Sequence, residues 1–254
     1  MLLAIDVGNT HTVIGLFKDK DLVKSWRLTT VPEQTVDEYG ILFSNLFGPS
    51  GFRPKSVAQA IISCVVPPLQ ETLRQMCNDY FKVKALVVGP GIKTGIALQV
   101  DHPQEVGADR IVNTAAAFQL YGGPAIVVDF GTATTFDPIS STGAFLGGAI
   151  APGLGISAQA LHAAAAKLPK VDIQKPRRVI GKNTVENIQS GLFYGYIGLV
   201  DGILEAMAGE MEAKPVIVAT GGFASVFQKE SRWIDHYCEN LTLIGLQILN
   251  DRNR

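Results

Sequence analysis

Two short segments carry the residue types that hold phosphate and metal. An apolar run, Leu2-Leu3-Ala4-Ile5, ends in Asp6-Val7-Gly8-Asn9-Thr10-His11-Thr12. A second run, Ala125-Ile126-Val127-Val128, ends in Asp129-Phe130-Gly131-Thr132-Ala133-Thr134-Thr135. A strand that delivers a carboxylate into a glycine-containing turn can hold Mg²⁺ directly or through water. The backbone amides of such a turn can meet phosphate oxygens. Gly8 allows a positive φ and leaves no side chain between the backbone amides and a phosphate. Asn9, Thr10 and Thr12 offer donors, and His11 lies in the same turn. In the second segment the hydroxyls of Thr132, Thr134 and Thr135 suit anions and hydrated cations. Either segment alone also reads as an ordinary hairpin turn or a threonine-rich strand. The repetition decides between these, because the second copy starts near the midpoint of the 254 residues. It points to a duplicated fold with a nucleotide between its halves.

A third cluster is Gly107-Ala108-Asp109-Arg110, which opens a helical pattern. An acid in a first helical turn suits the helix dipole, whereas a cation there does not. Arg110 is therefore expected to meet an anionic ligand. Neighbouring helix positions differ by about 100°, so Asp109 and Arg110 would reach different parts of one ligand. Ala219-Thr220-Gly221-Gly222-Phe223 follows a strand. Its glycines would admit a flat base or ribose, or simply make a strand-to-helix turn.

These residues need elements to position them. Strands are expected at 2–7, 12–17 and 22–28, forming an antiparallel meander. Apolar periodicity gives a helix at 36–47, a strand at 58–66 stopped by Pro67-Pro68, a helix at 69–81 and a strand at 85–88. A loop from Gly89 to about Glu105 is long enough to be functional. A helix at 108–120 leads to the break Tyr121-Gly122-Gly123-Pro124. The second half repeats the order: strands at 125–129, 133–137 and 144–150, then a helix at 153–168. A long helix starts near Asn183 or Thr184, with Glu186 in capping-box spacing. It carries Gly191, Gly195, Gly198 and Gly202, which suggest close backbone packing. A strand at 215–220 and a helix at 241–249 complete an α/β chain, with domains at 1–121 and 122–254.

Composition narrows the function. The hydrophobic fraction is 47% and the net charge is −1, which fits a real core and argues against disorder. Balanced charge, read as lacking a basic patch, excludes nucleic-acid and membrane-surface binding as a main activity. Cys64, Cys77 and Cys238 have no CxxC spacing, as expected of reduced thiols in the cytoplasm. The chain begins directly as a strand, without the basic and apolar regions of a secretory signal. No window holds the roughly 20 uninterrupted apolar residues of a membrane helix. His11, His102, His162 and His236 are dispersed, and no P-loop, GxSxG or HExxH motif occurs.

Taken together, Asp6–Thr10, Glu105–Arg110, Asp129–Thr134 and Gly147–Gly153 resemble type III pantothenate kinases, of the acetate and sugar kinase, heat-shock chaperone and actin superfamily. The resemblance covers nearly the whole chain. It implies two ribonuclease-H-like domains from an internal duplication, with a nucleotide cleft between them, and a homodimer. It implies ATP-dependent phosphorylation of pantothenate, with Mg²⁺ accompanying ATP and K⁺ or NH₄⁺ as monovalent cation. Asp109 would be the general base. Gly107, Ala108, Asp109 and Arg110 would contact pantothenate, and Thr184 matches a substrate-contacting position. Asp6, Val7, Gly8, Asn9, Thr10, His11, Thr12, Val13 and Thr132 would contact ATP. Asp129 would bind the monovalent cation, and Asp6 would guide Mg²⁺. The family often has tyrosine before Asp-Asn-Pro, where this chain has Val100-Asp101-His102-Pro103. Val100 thus stands at a substrate position without a hydroxyl. Other readings are a sugar or carboxylate kinase of the same superfamily, an actin- or chaperone-like nucleotide switch, and a transcriptional accessory factor.

Overall fold

The structure, a computed structural model, describes residues 1–254. Its contacts divide it into two compact units: Met1–Ile96 with Asp101–Gln119 and Asn240–Arg254, and Ala97–Val100 with Leu120–Glu239. This corrects the expected cut after residue 121 in one main respect. The C-terminal helix returns to the first unit.

The first unit opens with β1 (Leu2–Val7), β2 (His11–Lys18) and β3 (Asp21–Thr29). They form the expected antiparallel meander. α1 (Val36–Phe47) begins at a complete capping box, with Thr35 and Glu38 each accepting from the other's backbone N–H. β4 (Gln59–Cys64) lies parallel to β1. Pro67 and Pro68 end that strand and also open α2 (Pro67–Met76), where a missing N–H costs nothing. A π-type turn, Cys77–Phe81, takes the last part of the expected helix. β5 (Ala85–Val87) completes a sheet of order β3-β2-β1-β4-β5. One sheet face, with Leu3, Ile5, Ile14 and Ile62, packs on Phe43 and Phe47 of α1 and Leu69 and Leu73 of α2.

The unit also contains α3 (Ala108–Tyr121), counted to Gln119, and α7 (Leu241–Arg252). Leu243 of α7 reaches Gly15 of β2, and Gly245 lies against the Val112 carbonyl of α3. Thr242 donates to the Asn113 side chain at 2.8 Å. A sheet with apolar residues on both faces needs this second cover, so α7 returns to the first unit. The end of α7 also ties down the long loop. The Asn253 side chain accepts from the Lys93 N–H at 2.9 Å and donates to its carbonyl at 3.0 Å, and Arg252 donates to the Thr94 carbonyl at 2.7 Å.

The second unit repeats the design. β6 (Ala125–Phe130), β7 (Ala133–Ile139) and β8 (Ala149–Pro152) form an antiparallel meander, and β9 (Val216–Gly221) lies parallel to β6. β10 (His236–Tyr237) lies parallel to β9, giving the order β10-β9-β6-β7-β8. Read from the meander side, the two sheets have the same strand order and directions. β8 starts later than expected because Gly147 and Gly148 have φ of 106° and 151°. Phe145 instead brackets the segment 97–100: its N–H donates to the Ala97 carbonyl and its carbonyl accepts from Gln99, each at 2.9 Å.

α4 (Leu154–Ala164), α5 (Thr184–Glu210) and the short α6 (Ala224–Phe227) complete this unit. α5 buries Phe193, Tyr196, Val200 and Leu204 in the second core. By length and composition alone α5 is apolar enough to cross a membrane, although polar residues such as Gln189 and Asp201 interrupt its apolar run. Four of its five glycines correct another expectation. A Cβ at Gly191, Gly195, Gly198 or Gly202 would meet nothing within 4 Å, so these glycines serve no close packing inside the chain.

Candidate functional site

In the first unit Asp6 is the penultimate residue of β1 and half-buried, while Val7 points into the core and contributes only backbone. The turn closes with the Gly8 N–H donating to the His11 carbonyl at 3.0 Å. Gly8 does not use a positive φ. What favours glycine is that carbonyl, 3.1 Å from where a Cβ would stand. Asn9, Thr10 and His11 are exposed at the tip.

Thr12 differs from its expected role. It is fully buried, with its hydroxyl 3.0 Å from that of Thr30. Thr30 donates to the Gly8 carbonyl at 2.7 Å, and its N–H donates to the Thr10 carbonyl at 3.0 Å. Tyr39 of α1 bonds the Thr12 side chain and donates to the Val31 carbonyl at 3.4 Å. Alternation along β2 sends Thr12 inward, so its hydroxyl anchors the turn to the core. Val13, next in β2, pairs with Asp6. On the other side of Asp6, Ser63 of β4 is its register partner.

Gly107–Arg110 forms the start of α3, with all four residues half-buried. The Asp109 carboxylate accepts from the Arg110 N–H at 2.8 Å, folding back over the helix start. A Cβ on Gly107 would lie 2.6 Å from that carboxylate oxygen, so only glycine leaves the carboxylate there. Burial raises the Asp109 carboxyl above its ordinary value, against the lowering effects of the Arg110 N–H and the Arg110 charge. A carboxylate so placed is a better proton acceptor than an exposed one.

In the second unit Asp129 occupies the same place on β6 as Asp6 on β1. The turn is one residue shorter: the Gly131 N–H donates to the Ala133 carbonyl at 3.1 Å. Thr132 is exposed at its tip, and its carbonyl accepts from the Gly153 N–H at 3.0 Å. Thr134 and Thr135 do not face the tip. Thr134 is buried on the Tyr196 hydroxyl, and Thr135 donates to the Asp137 carboxylate at 3.0 Å. Gly221 of β9 has a φ of +92°, and its absent Cβ would stand 2.6 Å from an Asp129 carboxylate oxygen. The Thr220-Gly221-Gly222 segment therefore lets backbone lie close to Asp129.

Val100 lies near Gly147, 3.7 Å from a Cβ placed there. Thr184 is exposed as the first residue of α5, whose Asn183 cap accepts from the Glu186 N–H at 2.9 Å. Glu186 reaches the Lys182 N–H rather than that of Asn183, so the capping box is one residue off register. The segment before α5 concentrates Lys167, Lys170, Lys175, Arg177, Arg178 and Lys182, which amends the reading of a chain without a basic patch. Two of these are committed: Lys175 pairs with Glu230 at 2.6 Å, and Arg178 lies 3.9 Å from Glu186.

No three His, Cys, Asp or Glu side chains cluster in a way that could hold a metal ion. Single carboxylates at turn entrances suit Mg²⁺, which keeps several waters and takes one or two carboxylates beside substrate phosphates.

A family model for type III pantothenate kinase matches residues 2–206. The chain is 53% identical over 253 residues to a type III pantothenate kinase of Syntrophus aciditrophicus, and 54% over 254 residues to one of Anaeromyxobacter sp. strain Fw109-5, covering 100% of both chains in each case. Among solved structures, a ROK family glucokinase from Streptomyces griseus matches with a TM-score of 0.57 at 11% identity, covering 98% of each chain. The ethanolamine utilization protein EutJ from Carboxydothermus hydrogenoformans matches at 0.58 and 14%, covering 97% of this chain and 89% of that one. At such identities these structures speak for the fold alone. With the family model spanning most of the chain, and relatives at half identity over its full length, the chain belongs to the type III pantothenate kinase family.

Proposed function

We propose that this chain transfers the γ-phosphoryl group of ATP to the primary hydroxyl of pantothenate, giving 4′-phosphopantothenate at the entry to coenzyme A biosynthesis. The observation that carries this reading is the desolvated Asp109 carboxylate at the start of α3, with Arg110 beside it. Asp109 orients the acceptor hydroxyl and takes its proton. Phosphoryl transfer has a loose transition state, so the proton is needed late and a carboxylate suffices. Arg110 pairs with the pantothenate carboxylate, and Gly107 and Ala108 provide close backbone approach. Thr184 and Val100 are assigned to the acceptor as well.

Contacts to ATP are assigned to the turn from Asp6 to Val13 and to Thr132. The exposed Asn9, Thr10 and His11 supply side-chain donors, while Thr12 acts by holding the turn. Mg²⁺ bound with ATP would offset phosphate charge, and Asp6 would hold it directly or through water. Asp129 is assigned to K⁺ or NH₄⁺, where backbone drawn close by Gly221 supports a carboxylate-plus-carbonyl set.

A homodimer is part of the same reading. Its support is the exposed face of α5 on which Gly191, Gly195, Gly198 and Gly202 meet nothing. A second chain could approach that face closely. A cytoplasmic location fits three cysteines that form no disulfide.

The test is ADP release in K⁺ buffer with and without pantothenate. Release that depends on pantothenate supports the reading. Slow hydrolysis indifferent to pantothenate would favour a nucleotide switch, and release driven by a sugar would move the chain to another acceptor.

A further inference from the structure

The Ser63 hydroxyl has no role in the fold or in the chemistry described above. It is fully buried and has no hydrogen-bond partner. A buried hydroxyl left in this state costs free energy, and so its persistence needs a reason. The register supplies one. In the parallel β1–β4 ladder, Ser63 stands directly across from Asp6. Paired residues project to the same face from strands about 5 Å apart. Asp6 has Val13 as its partner on the other side, in β2. Along this row Asp6 therefore has an apolar neighbour on one flank and a hydroxyl on the other. A serine side chain is short and cannot reach far beyond the Asp6 carboxylate.

We propose that Ser63 is a positioning residue for the nucleotide-borne metal. Its hydroxyl donates to the Asp6 carboxylate when Mg²⁺ and nucleotide bind, and so fixes the orientation in which Asp6 meets the ion or its water. Groups that orient a metal-facing carboxylate in this way typically change metal affinity by about 10–100-fold when removed. The inference rests on Asp6 as the metal-facing residue, but not on pantothenate as acceptor.

The experiment is a thermal-unfolding titration of the full chain with Mg²⁺ in the presence of a non-hydrolysable ATP analogue. It compares wild type, Ser63→Ala, Ser63→Cys, Asp6→Asn and the Asp6→Asn/Ser63→Ala double variant. Ser63→Ala should unfold, without ligand, at the same temperature as wild type or a few degrees higher, since an unpaired polar atom is removed. Its Mg²⁺ midpoint should rise about 10-fold, with Ser63→Cys between the two. In the Asp6→Asn background the same change should add nothing. An unchanged Mg²⁺ midpoint in Ser63→Ala overturns the proposal. So does a lower unfolding temperature without ligand, which would mean that the fold itself uses the hydroxyl. A wild type whose nucleotide binding ignores Mg²⁺ overturns the Asp6 assignment and this inference with it. A wild type that binds Mg²⁺-nucleotide without phosphorylating pantothenate overturns only the acceptor.

Discussion

Gly107→Ala is the most informative single change, because it acts on Asp109, the proposed base, without touching its chemistry. The new Cβ would stand 2.6 Å from the Asp109 carboxylate oxygen, whereas ordinary contact begins at 3.4 Å. The oxygen must therefore retreat by about 0.8 Å, and a misplacement near 1 Å can cost about 10²-fold in rate. The obstacle is the end of a side chain rather than backbone, so the carboxylate can swing away and the fold survives. In swinging it gives up the 2.8 Å bond from the Arg110 N–H. We expect kcat to fall about 10- to 100-fold, with KM for ATP nearly unchanged and an unfolding temperature within a few degrees of wild type. Steady-state ADP release with varied pantothenate and varied ATP measures kcat and the KM for each substrate. The control is Asp109→Asn, expected to lower turnover about 10²-fold or more. If Gly107 acts through Asp109, adding Gly107→Ala to Asp109→Asn should cost little more. A folded Gly107→Ala enzyme with kcat within twofold of wild type would refute the geometry. Full additivity in the double variant would refute the mechanism.

Four further outcomes are expected. Burial holds the Asp109 carboxyl above its ordinary 3.8, so the acid limb of kcat/KM should fall at a higher pH than an exposed carboxylate would give. The same shift means that the folded state favours the protonated acid. Its stabilisation is complete below the unfolded value and is lost as pH rises through the folded one. Asp109→Asn should therefore unfold at a higher temperature than wild type at neutral pH, by calorimetry. Exchanging K⁺ for Na⁺ should lower turnover, and Asp129→Asn should abolish the difference between the two salts. Gly195→Glu puts charge into open space on α5, so if the proposed homodimer uses this face, light scattering should show a dimer for wild type and a folded monomer for the variant.

The duplicated design was legible because a carboxylate ending an apolar strand beside glycine is unusual, and it occurs twice. The place of Asp109 in the first turn of a helix was legible, and its pairing with an arginine where the helix dipole disfavours one marked it as a candidate. The details of the turns were not. Thr12, Thr134 and Thr135 have the composition of phosphate donors, but strand alternation turns Thr12 and Thr134 inward and lays Thr135 on Asp137. The place of α7 depends on Leu243 meeting Gly15 and Gly245 meeting Val112, contacts between residues far apart in the chain. The glycines of α5 signalled an exposed helix face rather than internal packing. Ser63 lies in an apolar strand with no motif around it, and only the register beside Asp6 gives it meaning. β10 has two residues, too few for any periodicity to show.

The return of α7 has a consequence for biosynthesis. Domains emerging from a ribosome commonly fold in the order of their synthesis. Here the sheet that is translated first lacks its second cover until residues 241–252 have left the exit tunnel, after the whole of 120–239. The nascent first sheet must wait, with the face around Gly15 and Ile61 uncovered, while the second is made and can close around its own core. The half of the molecule that carries Asp109 is thus begun first and finished last.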